Sequence, residues 1–260
     1  MRRGTDHLRI GEAGRLRTGD ADGLARHIEE WLKERAREAG ARGIVVGLSG
    51  GIDSAVVAAL ARRAFGHDML ALILPCHSAP ADVEDALLVA DALDVPCRTV
   101  DLGPAFDALS AEMSRAGLDL SRMAGANLKA RLRMSALYAA AQPLSLLVCG
   151  TSNRSEVETG YFTKFGDSAS DLWPLAELLK TEVRALARCL GVPGRIIDKA
   201  PSAGLWEGQT DEGEMGFTYD ELDRYLLTGE AAPEVKERIE ALRRRSAHKR
   251  CPVPVCRMRV

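Results

Sequence analysis

No stretch of this 260-residue chain reaches the roughly 18 consecutive apolar residues that a membrane-spanning helix needs. Charge is balanced as well: 35 basic residues against 37 acidic leave a formal net charge of −2, which argues against polyanion binding as the main task. The six cysteines are scattered at 76, 97, 149, 189, 251 and 256, so no small disulfide framework is present. Cys76, Cys97, Cys149 and Cys189 sit in or beside apolar runs and read as small core residues. Cys251 and Cys256 have no second pair of matching spacing, so they read as tail residues and not as zinc ligands. The start of the chain is charged rather than apolar, and the expected setting is a reducing cytoplasm. The GxxxxGK[ST] phosphate loop, with its lysine, is also missing.

What is present is an ordinary globular composition, 46% hydrophobic and 28% charged, in a chain long enough for one large α/β domain or two small ones. Residues 1–19, rich in Arg and Gly, read as a flexible arm, and 20–260 as a single domain. Helical spacing runs from Asp20 to Glu38 through Leu24, Ile28, Trp31 and Leu32. The pattern then alternates: strand 44–48, helix 54–65, strand 69–74, helix 80–93, strand 97–101. Two helices fill the next forty or so residues, the second over 121–141, before a strand from Leu144 to Cys149. Short strands that are apolar throughout, with amphipathic helices between them, predict a doubly wound, mostly parallel sheet with helices on both faces. Thr151–Leu172 is polar and holds no long period, a helix is expected over 175–190, and Pro201–Gly216 reads as irregular. Helices near 218–227 and 232–247 close the chain, followed by basic residues that suit either a solvated helix end or a ligand.

The string Ser49-Gly50-Gly51-Ile52-Asp53-Ser54 stands where the first strand ends and a helix begins. Adjacent glycines permit a tight turn that brings backbone N–H groups close to a ligand, and the helix N-terminus adds positive potential. Ser49 and Ser54 can bond phosphate oxygens, whereas Asp53 would repel them unless a divalent cation lay between. The turn therefore points to a metal-held nucleotide. In a doubly wound sheet it would share one crevice with the segment starting at Thr151, which carries Glu156 as a second carboxylate for magnesium.

SGGIDS, with NLKARLRMSALY at 127–138, GTSNRSEVETGYFTKFGDSASDLWPL at 150–175, PSAGLWEGQTDEGEMGFTYDELD at 201–223 and HKR at 248–250, resembles the NAD synthetases of the N-type ATP pyrophosphatases, an adenine nucleotide alpha-hydrolase-like group. The resemblance implies a ligase: ATP adenylates the nicotinate carboxylate of deamido-NAD, and ammonia then displaces AMP. It implies that Gly47, Leu48, Ser49, Gly50, Gly51, Ile52, Asp53 and Ser54 cradle ATP, joined by Thr151, Lys180 and Ser202. Asp53 and Glu156 would hold Mg2+, and Lys180, Asp53 and Ser49 would carry the catalytic work. Arg131, Lys164, Asp171, His248 and Lys249 would bind deamido-NAD, close to a homodimer contact. Arg131 and Arg133 cannot both face the core. In the 201 loop, Gly204 replaces an aspartate of some relatives.

Only about forty residues precede the first strand, below the usual domain minimum of about 50, so free ammonia rather than glutamine is the expected nitrogen source. Two other readings keep the loop: an ATP-dependent thiolating or GMP-forming enzyme, and a module that senses nucleotide without turnover. Absence of CxxC and of a basic stripe disfavours the first and any nucleic-acid partner; Asp53, Glu156 and Lys180 together disfavour the second.

Overall fold

The structure, a computed structural model, describes residues 17–202, 204 and 210–258. Most of the proposed N-terminal arm and part of the 201 loop lie outside the described residues. Helix α1 (Ala21–Glu38) begins at Asp20, whose carboxylate accepts the Gly23 N–H and caps the first turn. Then follow β1 (Gly43–Gly47), α2 (Ile52–Phe65), β2 (Met69–Ile73), α3 (Pro80–Ala92) and β3 (Cys97–Thr99). Helices α4 (Gly103–Arg115) and α5 (Arg122–Leu144) form the expected long connection to β4 (Leu146–Cys149). α5 runs past the expected residue 141, carrying Pro143 inside its last turn and ending at Ser145 in the left-handed conformation.

The four strands pair in the order β3-β2-β1-β4, all parallel. Because side chains alternate across a strand, each strand feeds two cores. Ile44 and Val46 of β1, with Ala71 and Ile73 of β2, pack on α1, α2 and the buried Leu186 further along the chain. Val45, Leu70, Leu72 and Val148 pack on the other side against Leu102, Phe106, Leu132, Leu137 and Ala141. Helices therefore cover both faces, as the unbroken apolar strands required. α2 is buried continuously from Ser54 to Ala61, which marks it as the central helix of its layer.

After β4 come α6 (Arg154–Thr159), α7 (Lys180–Cys189), α8 (Gly194–Ile197), α9 (Asp211–Met215), α10 (Tyr219–Thr228), α11 (Pro233–Arg245) and α12 (Ala247–Arg250). Two of the irregular stretches thus contain short helices. α7 starts five residues later than its apolar pattern suggests: Leu175, Leu178 and Leu179 are buried in non-helical backbone. The start is set by Glu182, which accepts the Leu179 N–H, and by Asp223 of α10, which accepts the Thr181 N–H. Two cysteine expectations need correction. Cys76 and Cys149 are buried, but Cys97 on the edge strand is only half-buried and Cys189 is exposed.

Strand order reverses at β1: β2 and β3 extend to one side, and β4 lies on the other. Ligands of such sheets bind outside the carboxyl ends of the strands at this reversal. The SGGIDS turn leaves β1 and the Thr151 segment leaves β4, so both open at that point.

Candidate active site

The turn is held in shape before any ligand arrives. Ser54 accepts the Ser49 N–H at 3.2 Å, lies 3.0 Å from the Ser49 hydroxyl, and donates to the Gly51 carbonyl at 2.9 Å. Gly50 has φ of +78°, and a Cβ there would stand 2.5 Å from the Asp82 carbonyl oxygen on α3. Only glycine meets both demands. The first N–H groups of α2 have no partner within the helix, and the residues that carry them, Ile52, Asp53 and Ser54, line the crevice.

Asp53, on the first turn of α2, is met by two other elements. Asn153 closes a capping box on α6: its side chain accepts the Glu156 N–H, and Glu156 accepts the Asn153 N–H in return. The remaining Asn153 Nδ2 donates to Asp53 Oδ1 at 2.9 Å. Lys180, the first residue of α7, places Nζ 2.5 Å from Asp53 Oδ2 and 3.3 Å from Glu156 Oε1. The Lys180 side chain is 3% exposed, and Nζ also stands 4.9 Å from the centre of the Tyr219 ring. Tyr219 in turn donates to Asp211 at 3.0 Å.

Two acids share one cation here, so ionising both would leave an excess negative charge at low dielectric. Desolvating each buried ion costs several kcal/mol unless partners compensate it. Burial, and then the neighbouring Asp53, push the Glu156 carboxyl up to about 8. Burial alone would lower Lys180, but Asp53 and Glu156 more than offset it and hold the ammonium above its ordinary range. Asp211 is likewise raised, by burial. The donor set suits one more cation. Asp53 and Glu156 offer two carboxylates, hard oxygen donors of the kind that hold a divalent cation.

Around this cluster opens a cavity of about 820 Å³. It is lined by the turn residues Gly47, Leu48, Ser49, Gly51, Ile52, Asp53 and Ser54, and by Thr151, Glu156, Lys180 and Ser202. Gly50 is turned into α3 and does not line it. His248 and Lys249 also line the cavity; Lys249 donates to the Gly160 and Phe162 carbonyls at 2.7 and 2.6 Å. Burial lowers the pKa of Lys249. Arg250 donates to the Val157 and Glu158 carbonyls, and Arg243 pairs with Glu158 at 2.9 Å. The closing basic residues therefore clasp the C-terminal end of α6, where cations are favoured by the exposed carbonyls.

Three sequence-derived residues stand apart. Arg131 is exposed and donates to the Lys164 carbonyl at 3.2 Å; Lys164 donates to the His248 carbonyl at 2.7 Å. Asp171 accepts the Val148 N–H at 2.7 Å and the Tyr138 hydroxyl at 3.2 Å, strapping the edge of β4. None of the three lines the cavity. The lining arginine of α5 is Arg133. Its inward position was readable, because 133 falls on the stripe of Ala126, Ala130, Leu137 and Ala141 that packs toward the sheet, while 131 does not. Asn153 was readable too, from Asn-x-x-Glu at 153–156. Tyr219 and Asp211 carried no signal of their own.

The family model described as NAD synthase matches residues 24–253. The chain belongs to the NAD synthase family. Among curated members, the NH(3)-dependent NAD(+) synthetase of Carboxydothermus hydrogenoformans is 52% identical over 224 residues, covering 86% of this chain and 92% of that one. Among solved structures of similar fold, the NMN synthetase of Francisella tularensis superposes with a TM-score of 0.88 at 42% identity, covering 92% of this chain and 99% of that one. The NH3-dependent NAD synthetase of Campylobacter jejuni gives 0.76 at 29% identity, with the same coverages. The site built on SGGIDS, α6 and α7 thus stands on the family's fold. Among the described residues, no helix is long and apolar enough to cross a membrane.

Proposed function

We propose that this chain is an ammonia-dependent NAD synthetase, an ATP-using ligase that converts the nicotinate carboxylate of deamido-NAD into the amide. The observation that carries this reading is the meeting of Asp53, Glu156 and Lys180 at the N-terminus of α2, at the switch point of a sheet from this family. A carboxylate is a poor electrophile, so its oxygen first attacks the α-phosphorus of ATP and pyrophosphate leaves. Ammonia then attacks the acyl carbon, loses a proton, and AMP departs with the adenylate oxygen.

The turn Gly47–Ser54, in which Gly50 shapes the bend and the other residues line the cavity, receives the ATP phosphates with Thr151 and Ser202 through backbone N–H groups and hydroxyls. Lys180, paired with Asp53 of the turn, balances charge that develops as pyrophosphate departs. Ser49, bonded to Ser54, orients the phosphate chain. Asp53 and Glu156 would hold Mg2+, which supplies Lewis-acid neutralisation of the triphosphate. His248 and Lys249 offer positive charge to the acceptor from inside the cavity. Arg131, Lys164 and Asp171 belong to the acceptor site by family likeness, and their place outside the cavity favours a site completed by a second copy of the chain. Exposed Leu109 on α4 and Met123, Tyr138 and Leu144 on α5 support such a homodimer. Residues 20–260 would act as one unit in the cytoplasm.

A second reading concerns the acceptor. The solved relative with a TM-score of 0.88 is described as an NMN synthetase, which favours nicotinate mononucleotide as an alternative to the dinucleotide. One experiment separates the readings: pyrophosphate release by the purified chain with ATP, magnesium and ammonium, on deamido-NAD and on nicotinate mononucleotide in parallel. A higher kcat/KM on deamido-NAD supports the main reading, a higher one on the mononucleotide supports the second, and release on neither overturns both. Efficient turnover on glutamine at trace ammonium would overturn the ammonia assignment.

A further inference from the structure

Arg133 has a surplus that the described structure does not absorb. Its Nε donates to the Leu74 carbonyl at 3.0 Å and its Nη2 to the Ser78 hydroxyl at 3.1 Å, both in the loop that leads from β2 to α3. These neutral acceptors fix the plane of the guanidinium without compensating its charge. No described carboxylate lies within ion-pair distance of it. The acids that reach it electrostatically are committed elsewhere: Asp82 pairs with Lys199 at 2.9 Å, and Asp167 accepts the Thr163 N–H at 2.8 Å. Burial lowers the pKa of Arg133, which fits a cation short of an anionic partner.

The side chain nevertheless lines the 820 Å³ cavity, from the wall formed by α5 and the end of β2. A guanidinium held by two of its donors presents the others in a fixed fork, the geometry that matches carboxylate and phosphate oxygens. We infer that Arg133 is a binding residue for an anionic oxygen group of the bound nucleotide, a phosphate or a carboxylate. The inference rests on the synthetase reading, which supplies two sources of that chemistry: ATP and the acceptor.

Two variants separate charge from scaffolding. Arg133→Gln keeps amide donors for Leu74 and Ser78 but loses the charge, whereas Arg133→Lys keeps the charge and loses the fork. Calorimetric titration with ATP and magnesium, and separately with deamido-NAD, reads binding without requiring turnover. The expected result is affinity for one ligand weakened by about 10- to 100-fold in Arg133→Gln and by less in Arg133→Lys, with the other ligand within about threefold. Loss for ATP assigns the anion to the triphosphate, and loss for deamido-NAD assigns it to the acceptor. Unchanged affinity for both in Arg133→Gln, or equal loss for both, overturns the inference. A crystal structure of the unmodified chain with each ligand decides independently of folding: an anionic oxygen at hydrogen-bond distance from Arg133 is expected, and its absence in both complexes overturns the inference. Failure of the synthetase reading looks different, because the unmodified chain would then release no pyrophosphate on either acceptor.

Discussion

The Ser155 hydroxyl on α6 donates a 2.6 Å hydrogen bond to Asp223 on α10, and the same hydroxyl accepts the backbone N–H of Lys180 at 3.1 Å. Asp223 uses its other oxygen to accept the Thr181 N–H and hydroxyl at 2.8 and 2.7 Å. One buried carboxylate thus ties the helix start that bears Glu156 to the helix start that bears Lys180. It also satisfies the Thr181 N–H, one of those that α7 leaves without an intrahelical partner. Asp223 is a positioning residue: it touches neither the cavity nor any group assigned to substrate.

Asp223→Asn should therefore lower kcat by about tenfold or more while the KM for ATP stays within about threefold, since it displaces Lys180 rather than removing a phosphate contact. Stability should fall by about 1–3 kcal/mol, the range for an unsatisfied buried group. Steady-state kinetics with thermal unfolding checks both. An unchanged kcat with a raised KM would contradict the positioning role.

Asp53→Asn should reduce pyrophosphate release to less than about a tenth of the parental rate with the fold intact. The change removes little volume but deletes the charge that faces Lys180 and that would face the metal. Survival of activity within about tenfold, measured at saturating magnesium, would refute the metal assignment.

Metal-free protein should lose stability as pH rises from about 4.5 toward about 8. The Glu156 carboxyl is raised in the folded chain by burial and Asp53, so the folded state holds its proton more tightly than the unfolded state does. That contribution is complete below the unfolded pKa and is lost as pH climbs through the folded one. Thermal unfolding in a chelator across this window should fall more steeply for the parent than for Glu156→Gln, which cannot titrate. Parallel slopes would show that Glu156 is not the group responsible.

Gly50→Ala should destabilise the chain by about 1–3 kcal/mol, because φ is +78° and the added carbon meets the Asp82 carbonyl oxygen. ATP affinity should drop with it, since relief of the clash must move the turn away from α3. Denaturant unfolding and nucleotide titration test the two effects separately. Gly51→Ala, whose new carbon meets only the Ser49 hydroxyl at 3.4 Å, should cost less.

Much of this was legible without coordinates because it depends on local pattern. Apolar strands such as Ile44-Val45-Val46 require cover on both faces, and two cores lie there. Boundaries failed where a distant partner sets them. α7 begins at Lys180 because Asp223, 42 residues away from Thr181, supplies the cap. Cys189 was misread because an apolar neighbourhood in sequence does not say which face of a helix is covered. Arg133 rather than Arg131 lines the cavity, a difference that the stripe on α5 encoded and the family motif did not.

The sequence by itself determined the doubly wound sheet, the phosphate-binding turn and the family, since each rests on periodicity or on contiguous strings of residues. Tertiary structure alone decided that Lys180 stands between Asp53 and Glu156, 127 and 24 positions away in the chain. It also decided that Asp223 holds that arrangement, that Lys249 and Arg250 clasp α6, and that Arg133 is left without a described acid. The physical reason is common to all of these. Charge compensation depends on distance and burial, and neither is a property of neighbours along the chain.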